Sequence, residues 1–264
     1  MADVNAIMES TQGSIKIIKF NKPARKNAID LDMYERMTKI LDEAAIDDSV
    51  SVAVVTGAGD YFSSGNDLIG TLERIGTANI NPSETLKTFV EAFINFPKTL
   101  IAIVNGPAIG IAATTLALFD LVFAAESAFF YTPFTKLGLV AEGCSSYTFP
   151  RLLGDRKAQE MLLFNHKMSA KEALDCGFVN YLYKPEEIQT TVWDKIVEVS
   201  QLPKSSLTAC KQLVREHIRN DLIKVNIKEV AELEKSNIRV HVENTVRFFL
   251  LKTVHELLSK SNMG

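Results

Sequence analysis

The sequence is poor in the side chains from which most metal sites and nucleophilic active sites are built. Its 264 residues include three cysteines and four histidines. The cysteines, Cys144, Cys176 and Cys210, lack metal-ligand spacing, and their odd number favours free thiols in a reducing compartment. No apolar run approaches the ~20 residues that span a bilayer, and a net charge of −3 does not indicate a nucleic-acid surface. We therefore expect no bound metal, no nucleic-acid partner and no membrane partner.

Ionisable side chains are also missing from one segment that otherwise has the pattern of a ligand site. Residues 99–120 (TLIAIVNGPAIGIAATTLALFD) contain an apolar β-like run, a turn with two glycines and an apolar helix-like run. No side chain between Gly106 and Leu118 can ionise. A strand, a glycine turn and a helix aim free N–H groups at an anion, because the first N–H groups of a helix have no partner within it. Any acid or base must therefore come from elsewhere in the chain.

Short β-like runs alternate with helical patterns over the first 200 residues, which predicts an α/β fold with a largely parallel sheet. From about residue 186 the chain becomes helical and more charged. We predict an α/β core over residues 1–200 and a helical region over residues 201–264. The predicted strands are 14–21, 51–56, 99–104, 121–125 and 178–183. The predicted helices are 31–45, 83–95, 111–119, 156–164, 170–176, 188–200, 205–221 and 222–255.

Two loops near the start of the chain have both an ordinary and a functional interpretation. Residues 57–67 (GAGDYFSSGND) follow a predicted strand and form either a plain connection or a second site of backbone N–H donors, which small residues let a ligand approach. Residues 21–28 (NKPARKNA) are either a solvated basic loop or a cradle for a phosphorylated ligand. In the second case Arg25 and Lys26 are the charge partners.

Glu142 is the only carboxylate between Glu126 and Asp155, in a run of apolar and small residues. Such surroundings raise the pKa of a carboxyl group toward neutrality, which suits a general base. The residues leave open an alternative, in which Glu142 caps a helix that begins near Gly143. The neighbouring Cys144 is better explained as buried and inert than as a nucleophile, since no histidine lies near it in the sequence.

Together these segments resemble the crotonase (enoyl-CoA hydratase/isomerase) superfamily. NKPARKNAI resembles its first coenzyme A loop, YFSSGNDL its first oxyanion motif and NGPAIGIAATTLALFDLVFAAESAFF its second. The resemblance implies a spiral of ββα units with a C-terminal helical trimerisation region, and a homotrimer or dimer of trimers. It also implies an acyl-CoA substrate, no separate cofactor, and the peroxisomal or mitochondrial matrix, although the chain shows no clear targeting signal.

The resemblance further implies a set of site residues. The backbone N–H groups of Asn66 and Ile111, each next to a motif glycine, would form the oxyanion hole. Phe248 and Lys252 would reach the nucleotide of a neighbouring subunit's substrate. The full set of expected substrate-binding residues is Arg25, Lys26, Ala28, Ser63, Ser64, Gly65, Asn66, Asp67, Leu68, Gly110, Phe248 and Lys252.

Departures from the family pattern indicate the reaction. The two glutamates with which hydratases of the family activate water fall at Thr114 and Phe134, and neither residue can act as a carboxylate base. Glu142 lies where peroxisomal-type Δ3-Δ2-enoyl-CoA isomerases have their single glutamate, and the run TPFTKLGLVAEGCSSYTFPRLLG is similar to that subfamily. We therefore expect an isomerase of unsaturated fatty acid β-oxidation in which Glu142 moves a proton from C2 to C4. The alternatives are a non-catalytic acyl-CoA binder, such as the chromodomain-Y-like proteins, and another crotonase-type enzyme.

Overall fold

The computed structural model describes residues 5–67, residue 70 and residues 81–235. Of the expected site residues, Leu68, Phe248 and Lys252 lie outside the described residues. The strands, in chain order, are β1 (Ile7–Gln12), β2 (Ile15–Phe20), β3 (Val52–Gly57), β4 (Thr99–Val104), β5 (Ala108–Ile109), β6 (Leu121–Ala125), β7 (Phe129–Tyr131), β8 (Lys167–Ser169) and β9 (Tyr181–Tyr183).

Helices flank these strands throughout the described chain. They are α1 (Leu31–Ile46), α2 (Pro82–Asn95), α3 (Ile111–Thr114), α4 (Phe134–Leu137), α5 (Ser145–Leu153), α6 (Asp155–Leu162), α7 (Ala170–Asp175), α8 (Trp193–Ser200) and α9 (Lys204–Lys235). A π-helical turn, Ile188–Val192, leads into α8. None of the described helices is long and apolar enough to cross a membrane.

The larger of two sheets has the strand order β1-β2-β3-β4-β6-β9. Strand β1 runs antiparallel to β2, and each further pair in this sheet is parallel, which confirms the predicted α/β fold with a largely parallel sheet. The apolar runs of β3 and β4 are buried, as expected for central strands covered on both faces. A small sheet, β5-β7-β8, carries the turn of residues 105–110, which we call the second glycine turn. A bridge from Ser63 to Ala108 places it beside residues 57–67, the first glycine turn.

Helix α1 carries Tyr34, an aromatic side chain that reaches the candidate site described below. The carboxylate of Asp30 accepts the N–H of Met33 at 3.0 Å and so caps the helix at its start. The apolar face of α1 is buried, and the ring of Tyr34 packs edge-on against that of Phe89 in α2, with centroids 4.5 Å apart. This packing fixes the direction in which the Tyr34 hydroxyl points.

The predicted division of the C-terminal region into two helices at residues 221 and 222 is wrong, because α9 continues through it without interruption. Neither glycine nor proline occurs between residues 204 and 235, so nothing in the sequence ends the helix there. Helix α9 packs against α2 and α5, with Leu222 and Val230 buried. The predicted helix 111–119 is also shorter than expected, since α3 gives way to a 3₁₀ turn at Thr115–Leu118.

Candidate active site

The two glycine turns of the sequence lie side by side at the carboxyl ends of β3 and β4. The N–H of Ile109 donates to the carbonyl of Ser63 at 3.0 Å, which joins the turns. Gly65 has a φ of +83°, and a β carbon on it would lie 2.6 Å from the carbonyl oxygen of Ile109. Only glycine fits this approach. The Cα of Gly110 lies 3.5 Å from that same β-carbon position, so Gly65 and Gly110 meet where the turns touch.

The residue after each of these glycines presents its N–H at this junction. Asn66 pairs with Ile29 in a parallel bridge, in which the N–H of Asp67 donates to Ile29 and the N–H of Ile29 donates to Gly65, both at 2.8 Å. The N–H of Asn66 is therefore directed away from Ile29. Within the described part of the chain, no hydrogen bond has that N–H as its donor. Ile111 begins α3, so its N–H has no partner within the helix.

Glu142 faces this junction from the loop between α4 and α5. Its side chain is buried, with 3% of the residue exposed. The side-chain nitrogen Nδ2 of Asn66 lies 3.1 Å from Oε1 of Glu142 and 3.2 Å from Oε2. A β carbon on Gly110 would lie 3.9 Å from the same Oε1. The structure thus brings together Asn66, Ile111 and Glu142, which the sequence separates by up to 76 positions.

The surroundings of Glu142 raise its pKa from 4.5 to about 7. Burial is the main cause, because it disfavours the charged form, and the nearby Glu229 carboxylate adds to the rise. The amide of Asn66 and the main-chain N–H of Ile111 act in the opposite direction, because both favour the ionised carboxylate. A carboxyl group with this pKa takes up and gives back a proton near neutral pH.

The interpretation of Glu142 as a helix cap is wrong, because Glu229 of α9 caps that helix instead. The carboxylate of Glu229 accepts the N–H of Cys144 at 2.7 Å and the N–H of Ser146 at 2.9 Å. Only the main-chain carbonyl of Glu142 contacts the start of α5, where it accepts the Ser145 hydroxyl at 2.7 Å. The Glu142 side chain is therefore free to face the two glycine turns.

Thr114 and Phe134, the positions of the hydratase glutamates, carry no ionisable group at this site. Thr114 is buried, and its hydroxyl donates to the carbonyl of Ile111 at 3.2 Å. The loop of Glu142 packs closely on it, since a β carbon on Gly143 would lie 2.4 Å from Oγ1 of Thr114. Phe134 is buried at the start of α4.

Tyr34 belongs to the site although its position in the sequence suggested only a core residue on α1. Its hydroxyl donates a hydrogen bond to Oδ1 of Asn66. Burial, together with the charge of Glu142, raises the pKa of the Tyr34 phenol well above 10. The phenol therefore stays protonated at neutral pH, where Tyr34 is a hydrogen-bond donor.

The basic loop is held against the first glycine turn, with Arg25 and Lys26 exposed and Lys22 paired with Asp30. The buried side chain of Asn27 donates from Nδ2 to the carbonyl of Tyr61 at 2.7 Å, and the hydroxyl of Ser63 donates to the carbonyl of Asn27 at 2.8 Å. Sequence reasoning missed Asn27, because a neutral side chain in a basic loop carries no distinctive signal. The loop is thereby fixed in place, while the charges of Arg25 and Lys26 stay available to a ligand.

The expected phosphate partners, Arg25 and Lys26, both lie on this loop. Arg25 is 60% exposed and lies 3.4 Å from the carboxylate of Asp67. Lys26 lies 5.1 Å above the ring of Tyr61, and its carbonyl accepts the N–H of Ser64 at 2.8 Å. Ala28 is half-buried next to Ile29 and so lies one residue from the partner of Asn66.

The Cys144 thiol and the potential metal ligands do not form a further reactive site within the described residues. Cys144 is buried, its sulfur lies 3.4 Å from the carbonyl of Leu222, and burial raises the pKa of its thiol. The thiol therefore lacks the character of a nucleophile, as predicted. In residues 5–67, 70 and 81–235 no group of three histidine, cysteine or acidic side chains is placed to hold a metal ion.

Comparison with known proteins agrees with this geometry. The family model described as enoyl-CoA hydratase/isomerase matches residues 10–255. The chain is 41% identical over 249 residues to enoyl-CoA delta isomerase 2 of Rattus norvegicus, covering 93% of this chain and 63% of that protein. It is equally identical to enoyl-CoA delta isomerase 3, peroxisomal, of Mus musculus, covering 93% of this chain and 78% of that protein.

Solved structures share the fold. The crystal structure of an enoyl-CoA hydratase/isomerase from Pseudoalteromonas atlantica T6c superimposes with a TM-score of 0.84 at 27% identity, covering 92% of this chain and 96% of the other. The chain spans less than two thirds of the length of the rat relative. The family model nevertheless covers most of the chain and both glycine turns, and we conclude that this chain belongs to the enoyl-CoA hydratase/isomerase family.

Proposed function

We propose that this protein is a Δ3-Δ2-enoyl-CoA isomerase, which converts 3-enoyl-CoA into 2-trans-enoyl-CoA. The observation that carries the proposal is the buried Glu142 carboxylate facing two glycine turns, with Thr114 and Phe134 where a hydratase would have its carboxylates. A hydratase must activate a water molecule and hold it beside the double bond. An isomerase only moves a proton, for which one carboxylate is enough.

The proposed reaction has two proton transfers. The thioester oxygen accepts hydrogen bonds from the N–H groups of Asn66 and Ile111, and Glu142 removes a proton from C2. The electron pair of that C–H bond moves into a dienolate, whose negative oxygen the two N–H groups stabilise, at about 3 kcal/mol for each such donor. Glu142 then returns the proton to C4, which leaves the double bond between C2 and C3. No atom is added, and no cofactor is required beyond the coenzyme A of the substrate.

The pKa of Glu142 suits both transfers. With a value of about 7, the carboxylate is basic enough to accept the proton from C2, and the resulting acid is strong enough to return it to C4. Burial also limits access of water, which would otherwise exchange with the proton between the two transfers.

Further features of the proposal rest on the relatives and on the basic loop. The rat and mouse relatives bear the name enoyl-CoA delta isomerase, and the name of the mouse protein includes the word peroxisomal. These names support the same activity, and the mouse name supports a peroxisomal location. We propose that the activity serves unsaturated fatty acid β-oxidation in the peroxisomal or mitochondrial matrix. We further propose that Arg25 and Lys26 bind coenzyme A phosphates, and that a homotrimer or dimer of trimers adds Phe248 and Lys252 from a neighbouring subunit.

Replacement of the base tests the proposal. Glu142→Gln is expected to lower the rate of isomerisation of 3-hexenoyl-CoA about a thousandfold, because it removes the general base but keeps the shape of the side chain. The matched control is Glu126→Gln, an exposed glutamate beyond β6, which should retain wild-type activity. Near wild-type turnover by Glu142→Gln contradicts the mechanism.

A second measurement separates the competing functions. Wild-type protein incubated with 2-trans-hexenoyl-CoA is expected to form no 3-hydroxyacyl-CoA, whereas a hydratase would form it. Binding of acyl-CoA without turnover of any 3-enoyl-CoA would instead identify the non-catalytic acyl-CoA binder.

A further inference from the structure

We propose that the side chain of Asn66, held by Tyr34, is the positioning residue that aims the Glu142 carboxylate and favours its ionised form. Asn66 would thereby serve the site twice, through its main-chain N–H at the oxyanion hole and through its amide at the base. The consequence for turnover rests on the proposed function, whereas the effect on Glu142 itself does not.

The hydrogen-bond directions in this group of three residues are fixed by what each can donate or accept. An ionised carboxylate only accepts, so the group of Asn66 that lies 3.1 and 3.2 Å from the Glu142 oxygens must be the NH₂ end of the amide. The carbonyl end, Oδ1, then faces Tyr34, whose hydroxyl donates to it. Each residue thus has one role, and the amide has no reason to rotate.

The packing of α1 explains why the arrangement is rigid. Tyr34 is buried, and its ring is held edge-on against Phe89 of α2, 4.5 Å between centroids. The main chain of Asn66 is held by the bridge to Ile29. The amide is therefore fixed at both ends before any substrate binds, and reorientation of the base during the reaction is limited.

The amide also determines which form of Glu142 is favoured. Burial and the carboxylate of Glu229, on α9, both disfavour the ionised form, and among the described residues the Asn66 amide and the N–H of Ile111 favour it. The phenol of Tyr34, on α1, is a neutral donor and adds no charge. Removal of the amide should therefore shift the titration of Glu142 upward.

The amide matters again once Glu142 holds the proton. Its NH₂ group cannot accept a hydrogen bond, so the carboxyl proton cannot point toward Asn66. The acid therefore keeps its unprotonated oxygen on the amide and directs its O–H away from it. Asn66 in this way keeps the proton available for transfer to C4.

Titration of the carboxyl group in the absence of substrate tests the inference directly. The protonation of Glu142 is followed by infrared spectroscopy or by ¹³C NMR of glutamate-labelled protein, with Glu142→Gln to assign the signal. Asn66→Ala, which retains the main-chain N–H, is expected to raise the midpoint by about one pH unit. Tyr34→Phe should shift it in the same direction by less, because the amide remains but is free to rotate.

Kinetics supply the second readout. Asn66→Ala is expected to lower kcat about tenfold or more, with little change in KM. The pH at which kcat rises, as Glu142 loses its proton, should shift to a higher value together with the titration midpoint. The matched control for Tyr34→Phe is Tyr181→Phe, because it also removes one phenolic hydroxyl but at an exposed position on β9. It should leave both readouts unchanged.

The outcomes are distinguishable from failure of the proposed function. An unshifted midpoint in Asn66→Ala overturns the role of Asn66, and an unshifted midpoint in Tyr34→Phe overturns the role of Tyr34. If Asn66→Ala does not fold, the isosteric Tyr34→Phe still decides whether the pair acts on Glu142. A wild-type protein that isomerises no 3-enoyl-CoA contradicts the proposed function, but leaves the titration result to stand by itself.

Discussion

The carboxylate of Glu229 accepts the main-chain N–H of Cys144 at 2.7 Å, two residues beyond Glu142. A side chain from α9, the last described helix, thus holds the loop that carries the base. The same carboxylate accepts the N–H of Ser146 and so satisfies the open start of α5. Helix α9 therefore supports the loop of the proposed base, through a contact between residues 85 positions apart.

Replacement of Glu229 should both weaken the fold and change the base. Glu229→Ala leaves the buried N–H of Cys144 and the N–H of Ser146 without this acceptor, and we expect the free energy of unfolding to fall by about 2–4 kcal/mol. Glu229→Gln keeps one acceptor and removes the charge that raises the pKa of Glu142, so that pKa should fall. Denaturant unfolding and the carboxyl titration measure the two effects. Glu234→Ala, exposed on the same helix, is the control, and equal destabilisation by Glu234→Ala would contradict the capping role.

The raised pKa of Glu142 makes the base costly for folding above acidic pH. In the unfolded chain the carboxyl titrates near 4.5 and in the folded protein at about 7, so the folded state binds the proton more tightly. The stability that this provides is complete below pH 4.5 and is lost as the pH rises through 7. The loss amounts to about 3 kcal/mol at pH 8.

Glu142→Gln should therefore gain stability relative to the wild type as the pH rises. We expect the difference between their free energies of unfolding to change by about 2–3 kcal/mol in favour of the variant between pH 5 and pH 8. The comparison across pH is decisive, because the changed hydrogen bonds of glutamine add only a constant offset. If this difference in the free energy of unfolding stays constant over the range, the pKa of Glu142 is not raised by burial.

The elements that could be predicted from the sequence are those whose signal is local. Strands 99–104 and 121–125 are observed with those bounds, because each is a short apolar run between turn residues. Glu142 stood out as an isolated carboxylate in an apolar loop, and the glycine turns as connections that follow buried strands. Strand β1 was missed, since only its first residue, Ile7, is buried and it therefore shows no regular alternation.

The contacts that complete the site could not be predicted, because each joins positions that are far apart and look ordinary in the sequence. Tyr34 lies on the buried face of α1 and has the pattern of a core residue. Glu229 is one of four glutamates in the charged helix α9, and its burial is decided by the packing of α9 on α5. The choice between base and cap at Glu142 depended on this distant carboxylate, which no local pattern indicates.

Gly65 is expected to tolerate no side chain, because of its backbone conformation and its close approach to Ile109. Gly177 allows these two causes to be separated. Gly65 and Gly177 have φ angles of +83° and +77°, but a β carbon meets the carbonyl of Ile109 at 2.6 Å only at Gly65. Gly177→Ala should therefore cost about 1–2 kcal/mol of stability from backbone strain alone and leave activity unchanged. Gly65→Ala should cost more, and should also lower kcat/KM more than about tenfold, because it displaces the N–H of Asn66. Equal losses in both variants would show that strain alone is responsible.

The basic loop is expected to act on binding and not on the chemical step. Arg25→Ala and Lys26→Ala should each raise KM for 3-hexenoyl-CoA roughly fivefold at low salt, since both side chains are exposed and partly screened. Their kcat should not change, because the same contact to phosphate is made before and during the reaction. Lys39→Ala, an exposed lysine on α1, is the control.

A substrate without phosphates identifies what the loop recognises. The pantetheine thioester of 3-hexenoic acid has the reacting atoms of the CoA substrate but lacks its nucleotide phosphates. If Arg25 and Lys26 bind those phosphates, the variants and the wild type should have the same KM for this thioester, and added salt should affect only the CoA substrate. A KM that rises equally for both thioesters would place the effect on the first glycine turn, through the contact of Arg25 with Asp67, and would contradict phosphate binding.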